Sequence, residues 1–231
     1  MAYALLFVAC TPEMPSKVNY PAEITCADLH GQSTDCLADD LRACDQKCRC
    51  NDYDACATLG VMHELGPARI GRQWQAKPSA ALAEYQRACD GGSNSGCVLL
   101  GNAYQRGVIV PASNDRARVA FNRACSSGYG WGCFRLGTLE LSLDRARALA
   151  ALRRSCELAD AEGCWTFATK LLEGNDAREH DEAVSALTQG CEKGTSAGSD
   201  EFSQARARGF VAKACATLGE LKSVKGAAPS M

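Results

Sequence analysis

The sequence predicts an all-α fold: an α-solenoid of antiparallel helix hairpins, each linked by a disulfide. Three observations carry that expectation. Cysteines eight positions apart occur four times, at Cys48/Cys56, Cys89/Cys97, Cys125/Cys133 and Cys156/Cys164. The first cysteines of these pairs, with Cys191, recur at intervals of 31 to 41 residues, the range of stacked helix pairs. The flanks recur too: a glycine-rich or polar gap inside the pair, and an apolar run after it, as in CDGGSNSGCVLLG from Cys89 to Gly101. In one continuous helix, eight positions separate Cα atoms by about 12 Å, whereas a disulfide tolerates about 4.4–6.8 Å. A bonded pair therefore requires the chain to fold back between its members. Gly91, Gly92 and Gly96 mark that turn in one copy, and Gly128, Gly130 and Gly132 in another.

Composition narrows the setting. Fifteen cysteines in 231 residues point to an oxidising compartment or to metal. Zinc sites need CxxC-type pairs backed by a second pair or by histidines. Here His30, His63 and His180 stand at no ligand spacing from one another, and Cys48-Arg49-Cys50 is the nearest thing to a metal pair. No metal and no cofactor is expected. The net charge of −2 comes without a basic stripe, which disfavours nucleic acid. No apolar run reaches the roughly 18 residues of a membrane span.

The N-terminal stretch from Met1 to Ala9 is apolar and ends in a small residue before Cys10, which resembles the end of a bacterial lipoprotein signal with Cys10 as the lipidated residue. Residues 1–20 are expected to be signal end and tether, the polar part with Pro12 and Pro15 leading into the folded region. A lipid on Cys10 would be the only membrane link and would hold the protein in a bacterial periplasm or at the outer membrane; without it the protein is secreted. Setting Cys10 aside leaves fourteen cysteines, enough for seven bridges.

Residues 21–47 form a cysteine-rich capping segment. Leu37, Leu41 and Cys44 share helical spacing, so a first helix is expected over 35–47 with Asp35 as its cap. Cys26, Cys36, Cys44 and Cys50 allow three pairings, and sequence does not choose among them. The solenoid is expected over 48–224, with a loose tail at 225–231.

Within the solenoid the arm before each first cysteine repeats a pattern: Tyr85/Ala88/Cys89, Phe121/Ala124/Cys125, Leu152/Ser155/Cys156 and Leu187/Gly190/Cys191. A large apolar residue, a small one and the cysteine share one helix face, and the small residue admits a neighbouring helix. The arm after each second cysteine repeats as Cys97/Leu100/Gly101/Tyr104, Cys133/Leu136/Gly137/Glu140 and Cys164/Phe167/Ala168/Leu171. Glycine inside a helix costs about 1 kcal/mol relative to alanine, so Gly60, Gly101, Gly137 and Gly219 imply close packing that offsets it. Cys191 has no cysteine eight positions on. Cys215-Ala-Thr-Leu-Gly219 repeats Cys56-Ala-Thr-Leu-Gly60, so Cys191 is expected to bond Cys215 across an insertion at 192–214. Asp115, Asp144 and Asp181 are expected at or near helix starts, where acidic groups suit the free N–H groups and the dipole.

The string A-C-x-x-G-x-x-x-G-C-x-x-L-G-x-x-Y-x-x-G-x-x-V over Ala88 to Val110 resembles the Sel-one-like repeat, a relative of the tetratricopeptide repeat. The spacing of the cysteines resembles its secreted, cysteine-rich branch, in which each hairpin carries one disulfide. The resemblance covers about residues 48 to 222. It implies a superhelix that binds proteins or peptides on its concave face.

Two other functions are weighed. Some cysteine-rich members of the resembled family are described as penicillin-binding or weakly β-lactam-hydrolysing. Serine chemistry of that kind uses S-x-x-K and K-T-G elements; the chain contains neither, and no catalytic residue is assigned. A structural envelope spacer is the third reading. A binding module presents aromatic and charged groups, and Tyr129 and Trp131, in a hairpin turn, are the partner-binding candidates. Trp74 is a further one, and Trp165, beside a bridging cysteine, is expected to pack in the core.

Overall fold

The computed structural model describes residues 41–66, 76–174, 176–195 and 201–226. The chain divides into two units, Met1–Thr34 and Asp35–Met231, and every described residue lies in the second. Cys10, Cys26, Cys36 and Trp74 lie outside the described residues.

Ten helices make up the described residues: α1 (Leu41–Arg49), α2 (Tyr53–Leu65), α3 (Pro78–Asp90), α4 (Asn94–Arg106), α5 (Asn114–Ser126), α6 (Gly130–Glu140), α7 (Arg145–Glu157), α8 (Ala161–Leu172), α9 (Ala177–Lys193) and α10 (Glu201–Gly226). They pair as antiparallel hairpins, α1 with α2 through α9 with α10, and each hairpin packs on the next. Each carries one disulfide: Cys48–Cys56, Cys89–Cys97, Cys125–Cys133, Cys156–Cys164 and Cys191–Cys215. Their Cα separations of 4.3 to 4.8 Å show the chain doubling back inside each short pair. Cys44 and Cys50 are disulfide-bonded as well.

The turn between arms repeats. The residue three after each first cysteine has positive φ: Asn51 (64°), Gly92 (98°), Gly128 (85°) and Ala159 (59°). The next residue caps the following helix, and Asp52, Ser93 and Asp160 do so with a side-chain oxygen on the N–H of Ala55, Gly96 and Gly163. Its own N–H reaches back to the small residue before the first cysteine, as Ser93 to the Ala88 carbonyl and Asp160 to that of Ser155.

The other glycines of the expected turns do a different job. A Cβ on Gly132 would sit 2.6 Å from that of Ala124, and Gly96 and Gly163 meet Ala88 and Ser155 in the same way. Glycine against a small residue thus lets the two arms cross closely beside the disulfide.

A second notch joins successive hairpins. A Cβ on Gly60 would lie 2.6 Å from the Tyr85 ring, and one on Gly137 2.6 Å from Leu152 Cγ; Gly101 faces the Phe121 ring. Tyr85, Phe121, Leu152 and Leu187 are fully buried, as are Ala81, Ala117, Ala148 and Ala183 one turn earlier. Tyr85 donates its hydroxyl proton to Glu64 Oε2 at 2.7 Å, and Arg106 pairs the other oxygen of that carboxylate at 2.5 Å. Burial beside Glu64 holds the phenol well above its usual range. Gly219 departs from the expectation: nothing lies within 4 Å of the position a Cβ would take. No described helix follows α10, so its notch receives no large side chain.

Three boundaries differ from the sequence reading. The first described helix is Leu41–Arg49 and extends past Lys47; Cys48, in its last turn, makes it the first arm of the first hairpin. Asp181 lies in the second turn of α9, which is capped by Asp176. The insertion after Cys191 is mostly helix: α10 starts at Glu201 and reaches Cys215 in mid-course.

Candidate partner-binding face

Successive even-numbered helices pack on one another: α2 on α4, α4 on α6, α6 on α8 and α8 on α10. In the odd-numbered row only α7 and α9 make more than marginal contact. The row with the closer approach is the inner side of a curved stack, so the even helices form the inner face. On the other side, α3 and α5 part to leave a groove of about 390 Å³ over Leu100, Tyr104 and Ala120.

The hairpin geometry presents one position repeatedly on the inner rim, two residues before each second cysteine. It holds Asp54, Ser95, Trp131, Glu162 and Lys213. Ser95 donates to Asp54 Oδ1 at 3.1 Å, joining the first two members across α2 and α4. Trp131 and Glu162 are joined by Arg206 of α10. The Arg206 guanidinium stacks 3.7 Å from the Trp131 ring centre, and its Nε lies 3.3 Å from Glu162 Oε2, an ion pair without hydrogen-bond geometry. Lys213 Nζ lies 5.0 Å from the Trp165 ring centre and 4.5 Å from that of Phe210; the two rings are 5.6 Å apart.

Trp131 is half-buried and stacks on Phe134 at 4.8 Å. It lies in the first turn of α6, not in the connecting turn, which accounts for its packing. Tyr129 is the residue before α6 and is half-buried too. Trp165 is half-buried against α10 rather than in the core.

Arg135, one turn into α6, was not legible as a site residue. It donates from Nη2 to Gln105 Oε1 at 2.7 Å and lies 5.3 Å from the Phe121 ring centre. Its Nε is buried without a hydrogen-bond partner, and so is Asn102 Oδ1 on α4. Burial lowers the Arg135 pKa from its usual value. Burial raises the Glu162 carboxyl, with Arg206 pulling it back down, and raises Asp160 beside it. The face thus combines aromatic surface, partly desolvated charges of both signs and unused polar atoms. That equips it for recognition of another chain.

Cys48, Cys56 and Glu84 bring three ligand-type atoms within 4.8 Å of one another, but the two sulfurs are bonded to each other. Glu84 Oε2 sits 3.2 Å from Cys48 Sγ. A bridged sulfur has no proton to give, so the contact is attractive with Glu84 protonated, and burial raises the pKa of this carboxyl.

The arrangement defines a class: a repeat scaffold of disulfide-clamped helix hairpins in two rows. More narrowly, its fold is that of the Sel1-like repeat proteins. No family model matches the sequence, and no curated protein does. Among solved structures, c5321, a protective antigen present in uropathogenic Escherichia coli strains and displaying an SLR fold, matches with a TM-score of 0.57 and 20% identity over 67% of this chain. A Sel1 repeat protein from Oxalobacter formigenes matches with a TM-score of 0.53 and 20% identity over 74%. The match spans 33% of the first protein and 65% of the second. The disulfides point to an oxidising, extracytoplasmic setting. No described helix is long and apolar enough to cross a membrane.

Proposed function

We propose that the chain is a non-enzymatic extracytoplasmic repeat scaffold that binds a protein or peptide partner on its inner helix row, tethered to a bacterial membrane by a lipid on Cys10. The carrying observation is the buried, unsatisfied Arg135 Nε beside Trp131 on that row, with Asn102 Oδ1 on α4 a second atom of the same kind. Buried polar atoms without partners are rare and costly, and a bound chain that shifts the side chains around them would satisfy them. The test compares a photo-crosslinking residue at Asn102 with one at Val119, which is 70% exposed on α5. In envelope extracts, Asn102 should capture a discrete partner that Val119 misses and that Arg135→Ala loses. Capture at neither position leaves a spacer. Sustained β-lactam turnover lost on a single substitution would replace this reading with an enzymatic one.

A further inference from the structure

In the first four hairpins the second arm starts three residues before its cysteine: at Tyr53, Asn94, Gly130 and Ala161 for Cys56, Cys97, Cys133 and Cys164. In the last hairpin it starts at Glu201, fourteen residues before Cys215. These additional turns run across the first turns of α8 and α6. Arg206, Phe210 and Lys213 are spaced i, i+4 and i+7, one face of a helix, and they cover Trp131, Glu162 and Trp165.

These turns hold to the body by ring and charge contacts rather than by buried side chains. No side chain from Gln204 to Lys213 is buried, whereas Ala214 and Leu218 are. By contrast, α4 and α8 each bury six residues. Gly209 interrupts the stretch, has nothing within 4 Å of a Cβ position, and weakens a helix by about 1 kcal/mol relative to alanine. A cleft of about 570 Å³ opens along the side facing Gly194 and Thr195. Thr195 itself is fastened to the body, accepting from the Ala161 N–H at 3.0 Å and donating to the Ala159 carbonyl at 2.7 Å. The covalent hold is at Cys215. The leading turns can therefore lift while both ends stay anchored, a local opening that leaves the remaining hairpins intact.

We infer that these turns act as a resident ligand: they sit on a helix-docking patch made by Trp131, Glu162 and Trp165, and the partner is a helix presenting basic and aromatic side chains at the same spacing. This rests on the inner row being the binding face. The seated segment supplies the template for the partner's chemistry. Cations stack on the two indoles, one of them pairs with Glu162, and an aromatic ring packs on Trp165. An acidic helix would face Glu162 and Asp160 and be repelled.

The probe is a fluorescein-labelled peptide of residues 201–214, titrated into the full chain and into the triple variant Arg206→Ala/Phe210→Ala/Lys213→Ala. The variant should bind it saturably, at least about tenfold more tightly than the wild type, whose own segment competes in cis. Adding Glu162→Lys should abolish that binding. No saturable binding, or equal binding to wild type and variant, overturns the inference, provided the Cys191–Cys215 bridge and the helix content are unchanged. Amide exchange in the wild type gives a second readout: residues 204–213 should exchange at least about tenfold faster than 215–222, and equal protection overturns the inference. Asn102 makes none of these contacts, so loss of peptide binding with capture from Asn102 intact removes the resident ligand and leaves the inner-row reading standing.

Discussion

In the first four hairpins the bridge spans eight residues and sits at the turn; in the last it spans 24 and joins the end of α9 to the middle of α10. The short bridges close over a turn whose positive-φ residue, with a side-chain cap in three of the four and a glycine crossing in three, already sets the register. The long one closes over a stretch whose described residues include no positive-φ turn, and of these features only the close crossing recurs there, as Gly190 against Ala214. Its geometry depends on Thr195 docking beside Ala159 and on a few side chains laid over Trp131 and Trp165. A covalent link of one kind therefore reinforces local structure in one region and substitutes for it in the other.

Removing bridges should separate the two most. In the loop-entropy model an eight-residue closure contributes about 2.5 kcal/mol and a 24-residue one about 3.4 kcal/mol. Cys191→Ser/Cys215→Ser should therefore lower stability more than Cys125→Ser/Cys133→Ser in denaturant titrations. The reverse order would show that the short bridges do more than restrict the unfolded chain.

The inter-hairpin notches come next. Gly101→Ala forces a Cβ against the Phe121 ring and should cost about 1–3 kcal/mol net of helix propensity. Gly219→Ala meets nothing and should gain up to about 1 kcal/mol. Thermal melts of the two variants should move in opposite directions; a parallel loss would mean that Gly219 has a partner.

Ala159 tests the turn itself. A non-glycine residue in the left-handed region costs about 1–2 kcal/mol, and Ala159, like Asn51, bears a β-carbon where Gly92 and Gly128 occur elsewhere. Ala159→Gly should stabilise the fold by about 1 kcal/mol, seen as a higher melting temperature. No gain would show that the Thr195 contacts fully set this conformation.

The smallest effect concerns pH. Burial raises the folded pKa of Asp160, so the native state holds that proton more tightly than the unfolded chain. Its contribution to stability falls as pH rises from the unfolded value of about 4 through the folded value. Asp160→Asn keeps a capping oxygen and removes that loss. Its advantage over the wild type should widen between about pH 4 and pH 7 in paired melts. A constant difference would mean that burial exacts nothing from the carboxylate.

Much of the fold was legible because it repeats at fixed offsets from cysteine. The large-small-cysteine triplets marked Tyr85, Phe121 and Leu152, and the helix glycines marked the sites that receive them. The row Asp54, Ser95, Trp131, Glu162 and Lys213 lay at an equally fixed offset, but its residue types share no chemistry, so only geometry reveals it as one face. Arg206 and Phe210 were hidden for another reason. The stretch from 192 to 214 carries no apolar stripe, and its helix is held by ring and charge contacts to residues far back in the chain. The glycines around Trp131 suggest a longer loop than the chain makes; the helix starts at Gly130, and only Gly128 needs its freedom of backbone.

Bridges this short also bear on oxidative folding. Closing a loop of about ten residues takes roughly 10–100 ns, and the entropic cost grows with length. A chain synthesised from its N-terminus would offer each regular thiol its correct mate eight residues later, before rivals from the next repeat exist. Among the five bridges described between hairpin arms, Cys191 waits longest. Its mate, Cys215, emerges 24 residues later, so its thiol stays open to exchange for longer than those of the short pairs.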